Sequence, residues 1–84
     1  MTGTYSGDLR KLAEEVAKWL VEYPEEVHVD AEQEGDTLVL ELTVAEDDLG
    51  RVIGKSGRTA RALRTLLSAS AAKAQKRCQL EILE

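Results

Sequence analysis

The spacing of the apolar residues changes along this chain, and that change restricts the folds it can adopt. Pro24 separates an amphipathic segment, from about Asp8 to Tyr23, from two segments (27–32 and 37–44) in which apolar and polar side chains alternate. Glu34-Gly35-Asp36 supplies a turn between the alternating segments. The pattern predicts a helix and then a β-hairpin. The apolar positions expected to face a core are Leu9, Leu12, Val16, Leu20, Tyr23, Val27, Val29, Ala31, Leu38, Leu40, Leu42 and Val44.

The second half of the chain returns to helical spacing around a loop that contains two glycines. Residues 45–48 form an acid-rich turn, which suits the positive end of a short helix that follows. Residues 54–57 interrupt this helix, a longer one runs from about Arg58 to Gln75, and Arg77 to Leu83 alternate again. The predicted order is α-β-β-α-α-β. It indicates an α+β fold in one domain, a two-layer sandwich with the helices on one side of a three-stranded sheet.

Charge is distributed unevenly, and its distribution matters more than its total. The formal net charge of −5 argues against a nucleic-acid partner if it is taken alone. Residues 51–77, however, contain eight basic residues and no acidic one, whereas the rest of the chain contains sixteen acidic and three basic residues. A phosphate responds mainly to the local field. The basic segment is therefore a candidate anion site, opposite a sheet face whose outward positions are acidic at Asp30, Glu32, Glu41 and Glu81.

Gly54-Lys55-Ser56-Gly57 is the segment best suited to bind a phosphate strand. Its glycines permit positive φ angles and leave no Cβ to obstruct a ligand backbone. Amides and the dipole at the start of the following helix favour an anion. Cations continue at steps of three along that helix, at Arg58, Arg61 and Arg64. Two glycines at this spacing are also typical of a plain turn between helices.

The run from Leu49 to Arg58, Leu-Gly-Arg-Val-Ile-Gly-Lys-Ser-Gly-Arg, resembles the signature of KH domains, and the element order resembles their type II arrangement. The chain length, the Tyr23-Pro24-Glu25 element and the ending Leu80-Glu81-Ile82-Leu83-Glu84 are similar to those of the small bacterial KhpA family of RNA-binding proteins. This resemblance extends from about Leu9 to Glu84 and implies a single KH domain, expected over residues 8–84. Residues 1–7 are expected to form a flexible N-terminal segment.

In KH domains a G-x-x-G loop holds the backbone of about four unpaired nucleotides, while the bases lie in an apolar groove. The resemblance implies Leu49 and Val52 as groove walls. It also implies a non-catalytic RNA chaperone or post-transcriptional regulator without a cofactor, acting with a KhpB-type partner in processes that affect cell length and the cell wall. The RNA-binding residues implied are Arg51, Gly54, Lys55, Ser56, Gly57, Arg58, Arg61 and Arg64.

Departures from the usual KH pattern predict weak binding with slight sequence preference. The chain has no Phe, and Trp19 and Tyr23 both fall on the first helix, so bases would find no aromatic ring near the loop. Trp19 is read as the edge of the core or, alternatively, as part of a dimer surface. A homodimer, or a protein-interaction module with little RNA affinity of its own, is the alternative function.

Catalysis and metal binding find little support in the sequence. Gly50-x-x-x-Gly54-Lys55-Ser56 has three residues between its glycines where a nucleotide-binding P-loop needs four. His28 and Cys78 are single residues, read as a solvated side chain and a buried thiol, and they make neither a metal site nor an internal disulfide.

No apolar run approaches the ~20 residues of a membrane span. With no signal-peptide pattern in residues 1–7, a cytoplasmic protein is expected.

Overall fold

Three helices pack on one side of a three-stranded sheet in the computed structural model, which describes residues 5–84. The helices are α1 (Tyr5–Leu20), α2 (Leu49–Ile53) and α3 (Arg58–Ala72), and the strands are β1 (His28–Glu34), β2 (Thr37–Thr43) and β3 (Arg77–Ile82). Short 3₁₀ turns occur at Pro24–Glu26, Glu46–Asp48 and Lys55–Gly57. The order α-β-β-α-α-β and the two-layer arrangement predicted from the sequence are confirmed.

The central strand β2 organises the sheet, whose order is β1-β2-β3. β1 pairs with β2 in antiparallel register, with Val29 opposite Leu42, and β3 pairs with β2 in parallel register, with Leu80 opposite Leu40. The parallel pairing requires a crossover, which α2 and α3 provide. The apolar side of β2 is fully covered by the helices, since Leu38, Leu40 and Leu42 have almost no exposed surface.

α1 differs from its predicted boundaries at both ends. It ends at Leu20 rather than Tyr23: Pro24 disfavours helical backbone at Tyr23, and the amides of Glu22 and Tyr23 donate to the Asp48 carboxylate instead of continuing the helix. It begins at Tyr5, so Tyr5 to Gly7, expected in a flexible segment, are helical. The rest of that expected segment, residues 1–4, lies outside the described residues.

The buried stripe of α1 also differs from the prediction. Leu9, Ala13 and Ala17 face the core, whereas Leu12, Val16 and Leu20 are half-buried beside them and Tyr23 is exposed. Small alanine side chains on the central stripe allow the helix axis to approach the sheet closely, and the larger residues then pack at its margins.

β1 is covered only at its start. Val29 is buried, but Ala31, predicted to face the core, is exposed because the distal half of the strand extends past the helices. On the opposite face Asp30, Glu41 and Glu81 lie directly side by side across the three strands. This row confirms the acidic outer face of the sheet.

None of the helices in the described part of the chain has the length and apolar character needed to cross a membrane.

Candidate nucleic-acid interface

The G-x-x-G loop joins α2 to α3, and its first glycine is required by sterics. Gly54 has φ 78° and ψ 169°, a conformation that side chains rarely adopt. A Cβ at this position would lie 2.7 Å from Cβ and 2.8 Å from the amide nitrogen of Thr59, closer than real contacts. The turn therefore brings the start of α3 against the Gly54 backbone, and only glycine leaves the necessary space.

The other end of the loop is left-handed but open. Ser56 (φ 58°, ψ 26°) and Gly57 (φ 73°, ψ 13°) both lie in the left-handed region, which costs a non-glycine residue about 1–2 kcal/mol. A Cβ on Gly57 would meet nothing within 4 Å. The space beside Gly57 is thus open to a ligand.

Free amides mark the outer side of the loop. The amide of Gly54 donates to the Gly50 carbonyl at 2.8 Å, and the amide of Gly57 donates to the Gly54 carbonyl at 3.1 Å. No acceptor within the described residues is found for the amides of Lys55 and Ser56, and no side chain caps the start of α3. This end of α3 can therefore accept an anion on main-chain donors, with the helix dipole favouring negative charge.

Three of the predicted cations surround this end of α3. Lys55, Arg58 and Arg61 have exposed side chains, and within residues 5–84 none of them forms an ion pair. A phosphate that approaches the loop consequently meets guanidinium and ammonium groups that no carboxylate of the described chain neutralises. The structure places these three residues beside the loop, in or just before the first turns of α3.

Arg51 has partners within the protein. Its Nε lies 3.2 Å from Oδ1 of Asp48, and its Nη2 lies 3.5 Å from Oε1 of Glu22. The Asp48 carboxylate is buried and also accepts hydrogen bonds from the amides of Glu22 and Tyr23, at 2.9 and 3.0 Å. The acid-rich turn before α2 therefore does more than complement a helix dipole: Asp48 joins the end of α1 to the start of α2. Sequence reasoning missed this role because the two segments lie far apart along the chain.

Arg64 points towards the sheet. Its Nε donates to the carbonyl of Leu80 in β3 at 3.2 Å. Six residues of α-helix turn through about 600°, which places Arg64 roughly 120° around α3 from Arg58. Arg61 lies about 60° from each of them, so the three arginines form a curved row along α3, and the hydrogen bond to Leu80 is what directs Arg64 to the open edge of β3.

The two predicted groove walls have different environments. Val52 is fully buried, since α2 is amphipathic and this residue is on its core side, so it cannot serve as a wall. Leu49 is half-buried and lines an open pocket at the start of α2. That pocket also includes Val44, which was predicted to face the core, and Leu83.

The remaining candidates for chemistry stay isolated. His28 is exposed, and Cys78 is half-buried in β3, where burial raises the pKa of its thiol. The part of the chain that the structure describes has no group of three or more His, Cys, Asp or Glu side chains arranged to hold a metal ion.

A three-stranded mixed sheet with helices on one side, and a G-x-x-G loop between its second and third helices, defines a KH domain of the type II arrangement. A solved structure supports this fold. The chain aligns with a variant of Era from Aquifex aeolicus at a TM-score of 0.63 and 20% identity, over 88% of this chain and 29% of that one.

The family follows from sequence comparison. The model of the KhpA/KhpB KH domain matches residues 10–82, and the chain belongs to this family. It is 43% identical to the RNA-binding protein KhpA of Halalkalibacterium halodurans, over 90% of this chain and all of that one. The KhpA proteins of Chlamydia trachomatis (48% identity, covering 82% and 88%) and Borreliella burgdorferi (45%, covering 93% and 95%) are also similar.

Proposed function

We propose that this protein binds single-stranded RNA without catalysis, through the G-x-x-G loop and the adjacent cations. The observation that supports this most directly is the open loop itself, with the amides of Lys55 and Ser56 free at an uncapped helix start. Relatives of 43–48% identity named RNA-binding protein KhpA support the ligand class.

The proposed binding mode uses the sugar-phosphate backbone. One phosphate accepts hydrogen bonds from the amides of the loop, and Lys55, Arg58 and Arg61 contact that phosphate and its neighbours. The bases then turn towards the pocket at Leu49. The acidic row across the outer sheet face repels RNA, so the strand binds on the loop side alone.

Affinity is expected to be weak and sensitive to salt. Trp19 lies on α1 and Tyr23 just after it, and neither lines the pocket at Leu49, so base stacking on aromatic rings contributes little there. If three or four phosphates are engaged, the slope of log affinity against log salt is roughly −2 to −3. The proposal includes a cytoplasmic location and an RNA-chaperone or regulatory role beside a KhpB-type partner, in processes that affect cell length and the cell wall.

The decisive experiment replaces Lys55 and Ser56 by aspartate. Lys55→Asp/Ser56→Asp reverses the charge of the loop at exposed positions without touching the core, and fluorescence anisotropy on unstructured RNA measures the effect. Lys73→Asp/Ser68→Asp is the matched control, because it makes the same charge change at exposed positions near the other end of α3. The loop variant should lose binding while the control retains most of it. Equal affinities for the two variants and the intact protein would refute the loop as the binding site.

A surface feature supports the second candidate function, a protein-interaction module. Trp19 is 80% exposed and Leu66 is 42% exposed, and an apolar groove runs between α1 and α3 beside them. Its lining residues are Val16, Leu20, Thr59, Ala62, Leu63 and Leu66. A second copy or a KhpB-type protein could cover this groove, and a dimer would also place two weak RNA sites in tandem. Light scattering of the intact protein and of Trp19→Ser distinguishes a dimer from a monomer.

A further inference from the structure

The pocket at Leu49 combines apolar walls with a negatively charged rim. It has a volume of about 290 Å³, and its walls are the side chains of Val44, Leu49 and Leu83. Thr43, Glu46 and Glu84 complete the lining. Within residues 5–84, neither glutamate side chain forms a hydrogen bond or an ion pair, so both carboxylates can accept hydrogen bonds from a ligand.

The pocket lies at the start of the helix that leads into the proposed RNA-binding loop. Leu49 is the first residue of α2, and Gly54 follows directly after its last residue. Five residues of α-helix span about 7.5 Å, roughly the length of one extended nucleotide. A strand whose phosphate lies on the loop therefore places a neighbouring base at the pocket.

The charge of the rim determines which part of that nucleotide can enter. Two carboxylates repel a phosphate, whereas the apolar walls suit the flat face of a base. Ionised carboxylates only accept hydrogen bonds, so the edge of the base must donate. The exocyclic amino groups of adenine, cytosine and guanine are such donors. Uracil has none, and its single N–H lies between two carbonyl oxygens that the carboxylates repel.

We propose that this pocket selects a base with an exocyclic amino group over uracil, and that Glu46 and Glu84 are the residues that determine this specificity. The inference rests on the proposed RNA-binding function. The sequence predicted only a slight sequence preference, whereas this pocket is expected to discriminate against uracil. A lysine or arginine side chain of a partner protein also has an apolar stem and a donor. The position of the pocket one nucleotide from the loop favours RNA.

Anisotropy titrations with fluorescent adenosine, cytidine and uridine homo-oligomers of equal length test the proposal. The intact protein should bind the adenosine and cytidine oligomers about three- to tenfold more tightly than the uridine oligomer. Glu46→Gln/Glu84→Gln should bring this ratio close to one, because an amide can both donate and accept. The ratio is the proper readout, since loss of negative charge alone raises affinity for all three oligomers.

Asp47→Asn is the matched control, because it removes an adjacent exposed carboxylate outside the pocket and should leave the ratio unchanged. Equal affinity of the intact protein for all three oligomers overturns the pocket assignment alone, provided that Lys55→Asp/Ser56→Asp still abolishes binding. Absence of any RNA binding overturns the proposed function and this inference together. If Glu46→Gln/Glu84→Gln leaves the ratio unchanged but loses binding to a partner protein, the pocket binds a lysine or arginine side chain of that partner instead of a base.

Discussion

The carboxylate of Asp48 and the guanidinium of Arg51 lie 3.2 Å apart at the start of α2. The Asp48 side chain is fully buried, whereas that of Arg51 is half-exposed. The same carboxylate accepts the amides of Glu22 and Tyr23. Since both oxygens of Asp48 are engaged, the segment that follows α1 and the start of α2 are held in one orientation. This contact positions the helix that leads into the G-x-x-G loop.

Asp48→Asn should therefore destabilise the fold. The asparagine loses the charge that Arg51 pairs with, and its NH₂ group must face either the Glu22 or the Tyr23 amide, where two donors meet. We expect a loss of about 2–3 kcal/mol in the free energy of unfolding, measured by urea denaturation. The exposed neighbour Asp47→Asn should change the same quantity by less than ~0.5 kcal/mol. Similar values for the two variants would show that the buried contact contributes nothing particular.

The two glycines of the loop should respond differently to alanine. Gly57→Ala has open space and incurs only the left-handed backbone cost, about 1–2 kcal/mol. Gly54→Ala adds a clash with Thr59 to a similar cost and should lose about 3 kcal/mol or more. Chemical denaturation of both variants measures the difference. A greater loss for Gly57→Ala would contradict the packing described at Gly54.

Alanine substitutions at Arg61 and Arg64 should have different effects, one on RNA binding and the other on stability. Arg61→Ala is expected to make the salt slope of RNA affinity shallower by about one, because an exposed cation that contacts phosphate is lost. Arg64→Ala should leave the slope nearly unchanged and lower stability by about 1 kcal/mol, through loss of the hydrogen bond to Leu80. Anisotropy over a salt series and urea denaturation of both variants check this. The reverse assignment of the two effects would place Arg64 on the phosphate face.

Cys78 should react slowly with iodoacetamide in the folded protein. Burial raises the pKa of its thiol, so near pH 8 a smaller fraction is thiolate than in the unfolded chain. The alkylation rate of the folded protein should also continue to rise at pH values where the rate of the unfolded chain has levelled off. Mass spectrometry of samples quenched over time, with and without urea, gives both rates. Equal rates at each pH would contradict the burial of this side chain.

The sequence by itself determined the order of the elements, the side of each strand that faces the helices, the acidic sheet face and the position of the G-x-x-G loop. These features depend on local periodicity and on the backbone requirements of glycine and proline. Both can be read from residues that lie close together in the sequence. The boundaries of α1 and the burial of Ala31 were less well predicted, because they depend on how far one layer extends over the other.

Only the tertiary structure decided which of the predicted site residues have partners within the protein and which are left exposed beside the loop. It placed Lys55, Arg58 and Arg61 beside the loop, and it paired Arg51 with Glu22 and Arg64 with Leu80. It also assembled the pocket at Leu49 from segments about 40 residues apart in the chain. The physical reason is that burial and hydrogen-bond partners depend on residues distant in sequence, brought together here by the parallel pairing of β2 with β3.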